Sequence, residues 1–222
     1  MVATDRATID YQSEVLRKAI HLCSLSIPVV YYFITRELAL SILIPLALLS
    51  LVLDLSRYYF KPFSNIFYKI FGFMLRKHEK DEKRKNLNGA TYVLISAVLV
   101  IAIFPKVFAV TGFAVLIIGD IAAALIGRKF GQTQFLLKSL EGTIAFFIFS
   151  IVVILFTPKI EGSITEFVIA VIAVGVGAVA ENISTGWADD NLTIPVSIGI
   201  TMWILYALLL PDLALVLPNV PN

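Results

Sequence analysis

The residue types in this chain that suit chemistry on a phosphate group fall in four short stretches. Glu14, Arg17, Lys18 and His21 are spaced so that Glu14, either Arg17 or Lys18, and His21 can share one helical face. A paired Arg and Lys at a membrane boundary suit a phosphate-bearing ligand, the Arg through its planar fork and the Lys as a point charge. Basic residues at helix ends also snorkel to the membrane surface, which is their ordinary structural part. His21 reads either as a ligand of the site or as a hydrogen-bonded packing residue.

Asp120 lies inside an apolar run and is followed by Ala122, Ala123, Ala124, Gly127 and Arg128. A carboxylate at membrane depth costs about 2.5 to 3.5 kcal/mol, so it needs a partner, a metal or a water-filled cleft. The small residues let neighbouring helices approach closely and would equally admit a metal-bound polyphosphate. Lys138, Ser139 and Glu141 follow. Ser139 suits a helix N-cap with Glu141 in the first turn, and a helix N-terminus beside basic residues also suits an anion. Glu181 closes a later apolar run, and Asp189, Asp190 and Asn191 link it to the next. Their oxygens suit Mg²⁺, which keeps waters and shares its shell with substrate phosphates; turn and capping chemistry explains the same residues structurally.

These stretches must be positioned by apolar elements. The chain is 59% apolar, with a mean hydropathy of +0.89, well above the roughly 45 to 50% apolar content of soluble domains. The expectation is an all-α, polytopic integral membrane protein forming a single domain over 1–222. Seven spans are expected near 17–35, 37–55, 90–105, 107–127, 142–158, 165–184 and 192–210. Between the second and third, in 57–89, Phe63, Ile66, Phe67, Ile70, Phe71 and Met74 form one apolar stripe, the mark of an interfacial amphipathic helix. A basic loop follows it. The charged first residues carry no small-residue cleavage site, so the first apolar run is expected to be retained as a span. Cys23, the single cysteine, excludes an intramolecular disulfide framework and is expected to pack as a small hydrophobe.

Of the 18 Lys and Arg residues, only Arg36, Lys106 and Lys159 fall on one side of this seven-span arrangement. The positive-inside rule then places the amino terminus in the cytoplasm, the carboxyl terminus outside, and all four polar stretches at the cytoplasmic face. The chain has no P-loop, no G-x-S-x-G elbow and no H-E-x-x-H pair.

The run E-x-x-R-K-x-x-H at 14–21, G-D-x-x-A-x-x-x-G-R-x-x-G at 119–131, K-S-x-E-G at 138–142, then E-x-x-S from Glu181 and D-N-x-x-x-P from Asp190, resembles the polyprenol kinase family. That group includes dolichol, phytol and farnesol kinases and CTP-dependent diacylglycerol kinase. The resemblance implies transfer of the γ-phosphate of a nucleoside triphosphate, typically CTP, to the primary hydroxyl of a membrane lipid alcohol, with Mg²⁺. It places the family's basic pair on Arg17 and Lys18, and its aspartate and glycine on Asp120 and Gly127. The partners implied are a nucleoside triphosphate, the lipid alcohol and the bilayer, and no nucleic acid. On this reading Asp120, His21 and Glu181 are the catalytic candidates. Arg17, Lys18, Gly127, Arg128, Lys138 and Glu141 serve the nucleotide, and Asp120, Glu181, Asp190 and Asn191 serve the metal. The alternative is CTP:phosphatidate cytidylyl transfer, since those enzymes share the middle motif. Their S-P-K-x-x-x-E-G and H-G-G-x-x-D-R-x-D runs are absent here, which favours the kinase.

Overall fold

A computed structural model describes residues 11–73, 75, 86–184 and 189–221. Nine helices are seen among them: α1 (Tyr11–Cys23), α2 (Ser26–Phe33), α3 (Arg36–Tyr59), α4 (Lys61–Phe71), α5 (Gly89–Ile103), α6 (Lys106–Phe130), α7 (Leu140–Phe156), α8 (Ile164–Ile183) and α9 (Asp190–Leu209). A small antiparallel hairpin, β1 (Gln134–Phe135) and β2 (Lys138–Ser139), joins α6 to α7. No strand was expected there.

Helix α6 is the axis of the molecule. α1, α2, α7 and α9 pack against it, α8 closes against α7 and α9, and α5 and α3 extend the bundle outward from α9. Its apolar residues from Val107 to Ile117 are almost all buried, so this run is apolar all round because protein surrounds it. α3, by contrast, keeps many large apolar side chains exposed, among them Leu48, Leu49 and Val52.

Among the described residues, four helices are long and apolar enough to cross a membrane: α3, α6, α8 and α9. α5 and α7 are shorter apolar helices of 15 and 17 residues. The first expected span, 17–35, is not one helix. It breaks at Ser24 and Leu25, where the Ser24 N–H donates to His21 and the Leu25 N–H to Leu22 over 2.9 and 3.0 Å. Pro28 supplies the reason, since it has no N–H to donate to the Ser24 carbonyl, which accepts from Ile27 instead.

The amphipathic stripe forms α4, which leaves Ile66, Ile70 and Phe71 exposed while Phe63, Phe67 and Phe71 stack along it. Met74 and the basic loop lie outside the described residues, as do residues 185–188. Cys23 departs from its expectation: it is exposed, because it falls on the outer face of α1 at the break.

Helix ends obey local chemistry. Thr35, Asn88, Ser139, Ser163 and Asp189 cap α3, α5, α7, α8 and α9, and Ser163 with Glu166 forms a full capping box. At the bundle end away from the four polar stretches, charge is spent on backbone. Lys106 donates to the carbonyls of Ile34 and Pro221, Arg36 to that of Phe104, and Lys159 to that of Ile154. Burial holds the Lys159 ammonium below the usual lysine range. The Glu166 carboxylate accepts the N–H groups of Ile160, Glu161, Gly162 and Ser163 and the Tyr206 hydroxyl.

Candidate functional site

The opposite end is organised differently, with side-chain charges that pair with one another across helices. The helical period carries Glu14, Lys18 and His21 onto the face of α1 that meets α6, and Glu14 and Lys18 are buried there. Glu14 accepts from Arg17 Nη2 at 2.6 Å and from Arg17 Nε at 3.3 Å, and its Oε2 lies 3.2 Å from Arg128 Nη2. One buried carboxylate thus joins two guanidinium groups, one from α1 and one from the last turn of α6.

About one turn further along α1, the Lys18 ammonium donates to Asp120 Oδ2. His21 Nε2 lies 3.5 Å from the same oxygen. It forms no hydrogen bond, although it is buried. The cost that Asp120 carries as an acid inside an apolar helix is offset by Lys18, since a buried charge persists when it is paired and hydrogen-bonded.

The third group comes from the hairpin and the α8–α9 junction. Lys138 Nζ lies 2.6 Å from Glu181 Oε1 and 3.8 Å from Asp190 Oδ2. Asn182 holds the hairpin in place: its Oδ1 accepts from the Leu137 and Lys138 amides at 2.9 and 3.1 Å, and its Nδ2 donates to Thr143 Oγ1 at 2.7 Å. Ser184 and Thr193 share a short hydroxyl contact that ties the end of α8 to the start of α9. Asp190 acts electrostatically on both His21 and Glu181, and Asp120 acts on Glu181, so the groups form one polar cluster.

Gly127 lets the cluster close. A Cβ there would lie 2.9 Å from Ser139 Oγ and 3.3 Å from Gly142 Cα, so α6 meets the start of α7 backbone to backbone. Ser139 Oγ accepts from the Gly142 amide at 3.2 Å, which is the expected N-cap. Glu141 turns to the hairpin, where it accepts from the Thr133 amide at 3.0 and 3.3 Å. Asn191 turns inward on its neighbours, with Nδ2 donating to Asp189 Oδ1 at 2.6 Å and to Asp190 Oδ1 at 3.3 Å.

The structure therefore gathers Arg17, Lys18, His21, Asp120, Arg128, Lys138, Glu181 and Asp190 at one end of the bundle. Two residues that sequence reasoning left off the site are central to it. Glu14 was visible at the right spacing from Arg17, but nothing in the sequence pointed to Arg128 as its second partner. Asn182 carries no local signal at all, because its three partners lie on the hairpin and α7. Among the described residues, no group of three or more His, Cys, Asp or Glu side chains is disposed to hold a metal ion by itself.

An uncharacterized protein of Rickettsia prowazekii is 28% identical to this chain over 192 residues, 86% of this chain and 93% of that protein. The CTP-dependent diacylglycerol kinase 1 of Schizosaccharomyces pombe is 28% identical over 156 residues, 64% of this chain and 70% of the relative. The named likeness is to a lipid kinase. No family model matches the chain, and no solved structure matches it.

Proposed function

We propose that the chain is a membrane lipid kinase that transfers the terminal phosphoryl group of a nucleoside triphosphate, CTP in the first instance, to the primary hydroxyl of a lipid alcohol at the cytoplasmic face. The observation that carries this reading is the buried Lys18–Asp120–His21 group, set beside the Lys138–Glu181–Asp190 group. It is supported by the distant likeness to a CTP-dependent diacylglycerol kinase and by four helices apolar enough to span a bilayer.

Phosphoryl transfer demands in-line positioning and neutralisation of charge on the phosphates more than covalent chemistry from the protein. Arg17, Arg128, Lys18 and Lys138 supply that positive charge from two sides of the cluster. The hydroxyl oxygen of the alcohol forms a bond to the terminal phosphorus as the bond to the bridging oxygen breaks, leaving a nucleoside diphosphate. His21 Nε2 takes the hydroxyl proton in our assignment, because it is buried without a hydrogen-bond partner, and the Asp120 carboxylate 3.5 Å away steadies the positive charge the ring then carries. Glu181 and Asp190 hold Lys138 toward the phosphates.

The donor chemistry here fits Mg²⁺ as a shared ion rather than a caged one. Asp120, Asp190, Glu181 and Asn191 would be the residues to offer it hard oxygens, with one or two carboxylates plus substrate phosphates making up its usual shell. When bound, Mg²⁺ would neutralise charge on the transferring phosphoryl group.

The test uses purified protein, γ-labelled CTP or ATP, and a panel of phytol, geranylgeraniol, farnesol, a long polyprenol and diacylglycerol. Label in the lipid supports the kinase. Release of pyrophosphate from CTP with phosphatidate as acceptor would instead establish cytidylyl transfer.

A further inference from the structure

The polar cluster leaves open where the tail of a lipid alcohol lies, and a second feature of the bundle bears on it. A cavity of about 640 Å³ lies between α2, α6 and α7, walled by residues such as Leu25, Tyr32, Val110, Ile118, Val152 and Phe156. That volume is within the roughly 300 to 1,000 Å³ of small-molecule sites. Its walls are almost wholly apolar, which fits a hydrocarbon and excludes a nucleotide.

Its position ties it to the site. Lys18, His21, Leu25, Pro28 and Tyr32 recur at steps of three and four, which keeps them along one side of α1 and α2 through the tight turn between them. The first two face Asp120, and the last three line the cavity. Leu25 follows His21 across the break between α1 and α2, and α2 carries the wall about 12 Å further to Phe33. Across the gap, Val110, Ala114 and Ile118 step by four along α6.

We infer that this cavity is the tail site of the enzyme and holds one apolar chain of the lipid alcohol, with the hydroxyl end at His21 and Asp120 and the chain running along α2 toward Phe33. The inference rests on the lipid-kinase reading for the identity of the ligand. A second chain, where the alcohol has one, stays in the bilayer.

The probe is geranylgeraniol bearing a photoreactive group on its tail, applied to the full-length protein in phosphatidylcholine nanodiscs, with labelled residues mapped by mass spectrometry. Photoreactive phosphatidylcholine serves as the bulk-lipid arm. Val152→Trp fills the cavity from a position 48% exposed, so the fold tolerates it, and Leu48→Trp on the outer face of α3 is the control. The expected result is labelling of cavity residues that unlabelled geranylgeraniol displaces, that Leu48→Trp retains, and that Val152→Trp reduces at least ~tenfold, equivalent to about 1.4 kcal/mol of lost binding. CTP affinity stays the same in both variants.

Label spread evenly over α3 and α8, wild-type labelling in Val152→Trp, or cavity labelling by phosphatidylcholine that the alcohol does not displace overturns the inference. The two readings fail separately. Displaceable cavity labelling without phosphoryl transfer to any alcohol removes the kinase and keeps the tail site. Transfer by Val152→Trp with the wild-type KM for geranylgeraniol removes the tail site and keeps the kinase.

Discussion

Lys18 and Asp120 are 102 residues apart in the chain, yet the ammonium of one donates to the carboxylate of the other with both side chains almost wholly out of contact with solvent. The pair fastens α1 to the middle of α6 and, with His21, forms the core of the proposed site. Because each charge is buried only by virtue of the other, structure and chemistry here can be separated by substitution.

Removing one partner of a buried pair costs about 3 to 5 kcal/mol, whereas replacing both with apolar residues is often neutral. Asp120→Asn is therefore expected to fold with a lowered melting temperature in detergent and to lose phosphoryl transfer by at least ~100-fold, a drop of about 2.7 kcal/mol in transition-state stabilisation. The double variant Lys18→Met with Asp120→Leu should regain the melting temperature and remain inactive. Wild-type turnover in Asp120→Asn would remove Asp120 from the chemistry.

Glu14 binds two guanidinium groups at once, so Glu14→Gln leaves Arg17 and Arg128 repelling each other beside a neutral amide. Nucleotide affinity is expected to fall by about tenfold, equivalent to about 1.4 kcal/mol, with a smaller change in kcat, because the arginines lose position rather than charge. Titration with CTP and steady-state kinetics check this together.

Asn182→Leu strips the Leu137 and Lys138 amides of their acceptor, at about 0.5 to 1.5 kcal/mol for each hydrogen bond lost. Hydrogen exchange at those two amides should accelerate. Lys138 should leave Glu181, lowering kcat. Unchanged exchange at residues 137 and 138 would show that the hairpin is held by other means.

Gly127→Val places a branched side chain where even a Cβ would lie 2.9 Å from Ser139 Oγ. Overpacking of this kind costs about 1 to 3 kcal/mol, and it pries the end of α6 from the start of α7. Reduced thermal stability together with weakened CTP binding is the expected outcome.

Chelation of divalent ions should abolish transfer and leave the melting temperature of the nucleotide-free protein unchanged, because no cluster of acids among the described residues forms a cage that would lose its ion. Added Mg²⁺ should restore activity. A fall in melting temperature on chelation alone would indicate a structural metal site instead.

The apolar runs were legible from hydropathy alone, and the six helices from α3 and α5 to α9 begin and end close to the expected boundaries. The stripe from Phe63 to Phe71 likewise announced α4, since its period needs no tertiary partner to be read. The Pro28 break in the first span was missed because the run on either side is uniformly apolar, and hydropathy does not register a missing N–H donor. The hairpin was missed because its strands are two residues each, too short for any alternation to show.

The sequence by itself determined that the acids and bases of interest are few, that they lie at the ends or inside apolar helices, and that each needs a partner. Only the tertiary structure decided which partner. Asp120 takes Lys18, Glu14 takes both Arg17 and Arg128, and Lys138 takes Glu181. The reason is physical. Helical spacing fixes which residues share a face within one element, whereas a pair drawn from opposite ends of the chain depends on how faces pack around α6, where small residues such as Gly127 let the backbones meet.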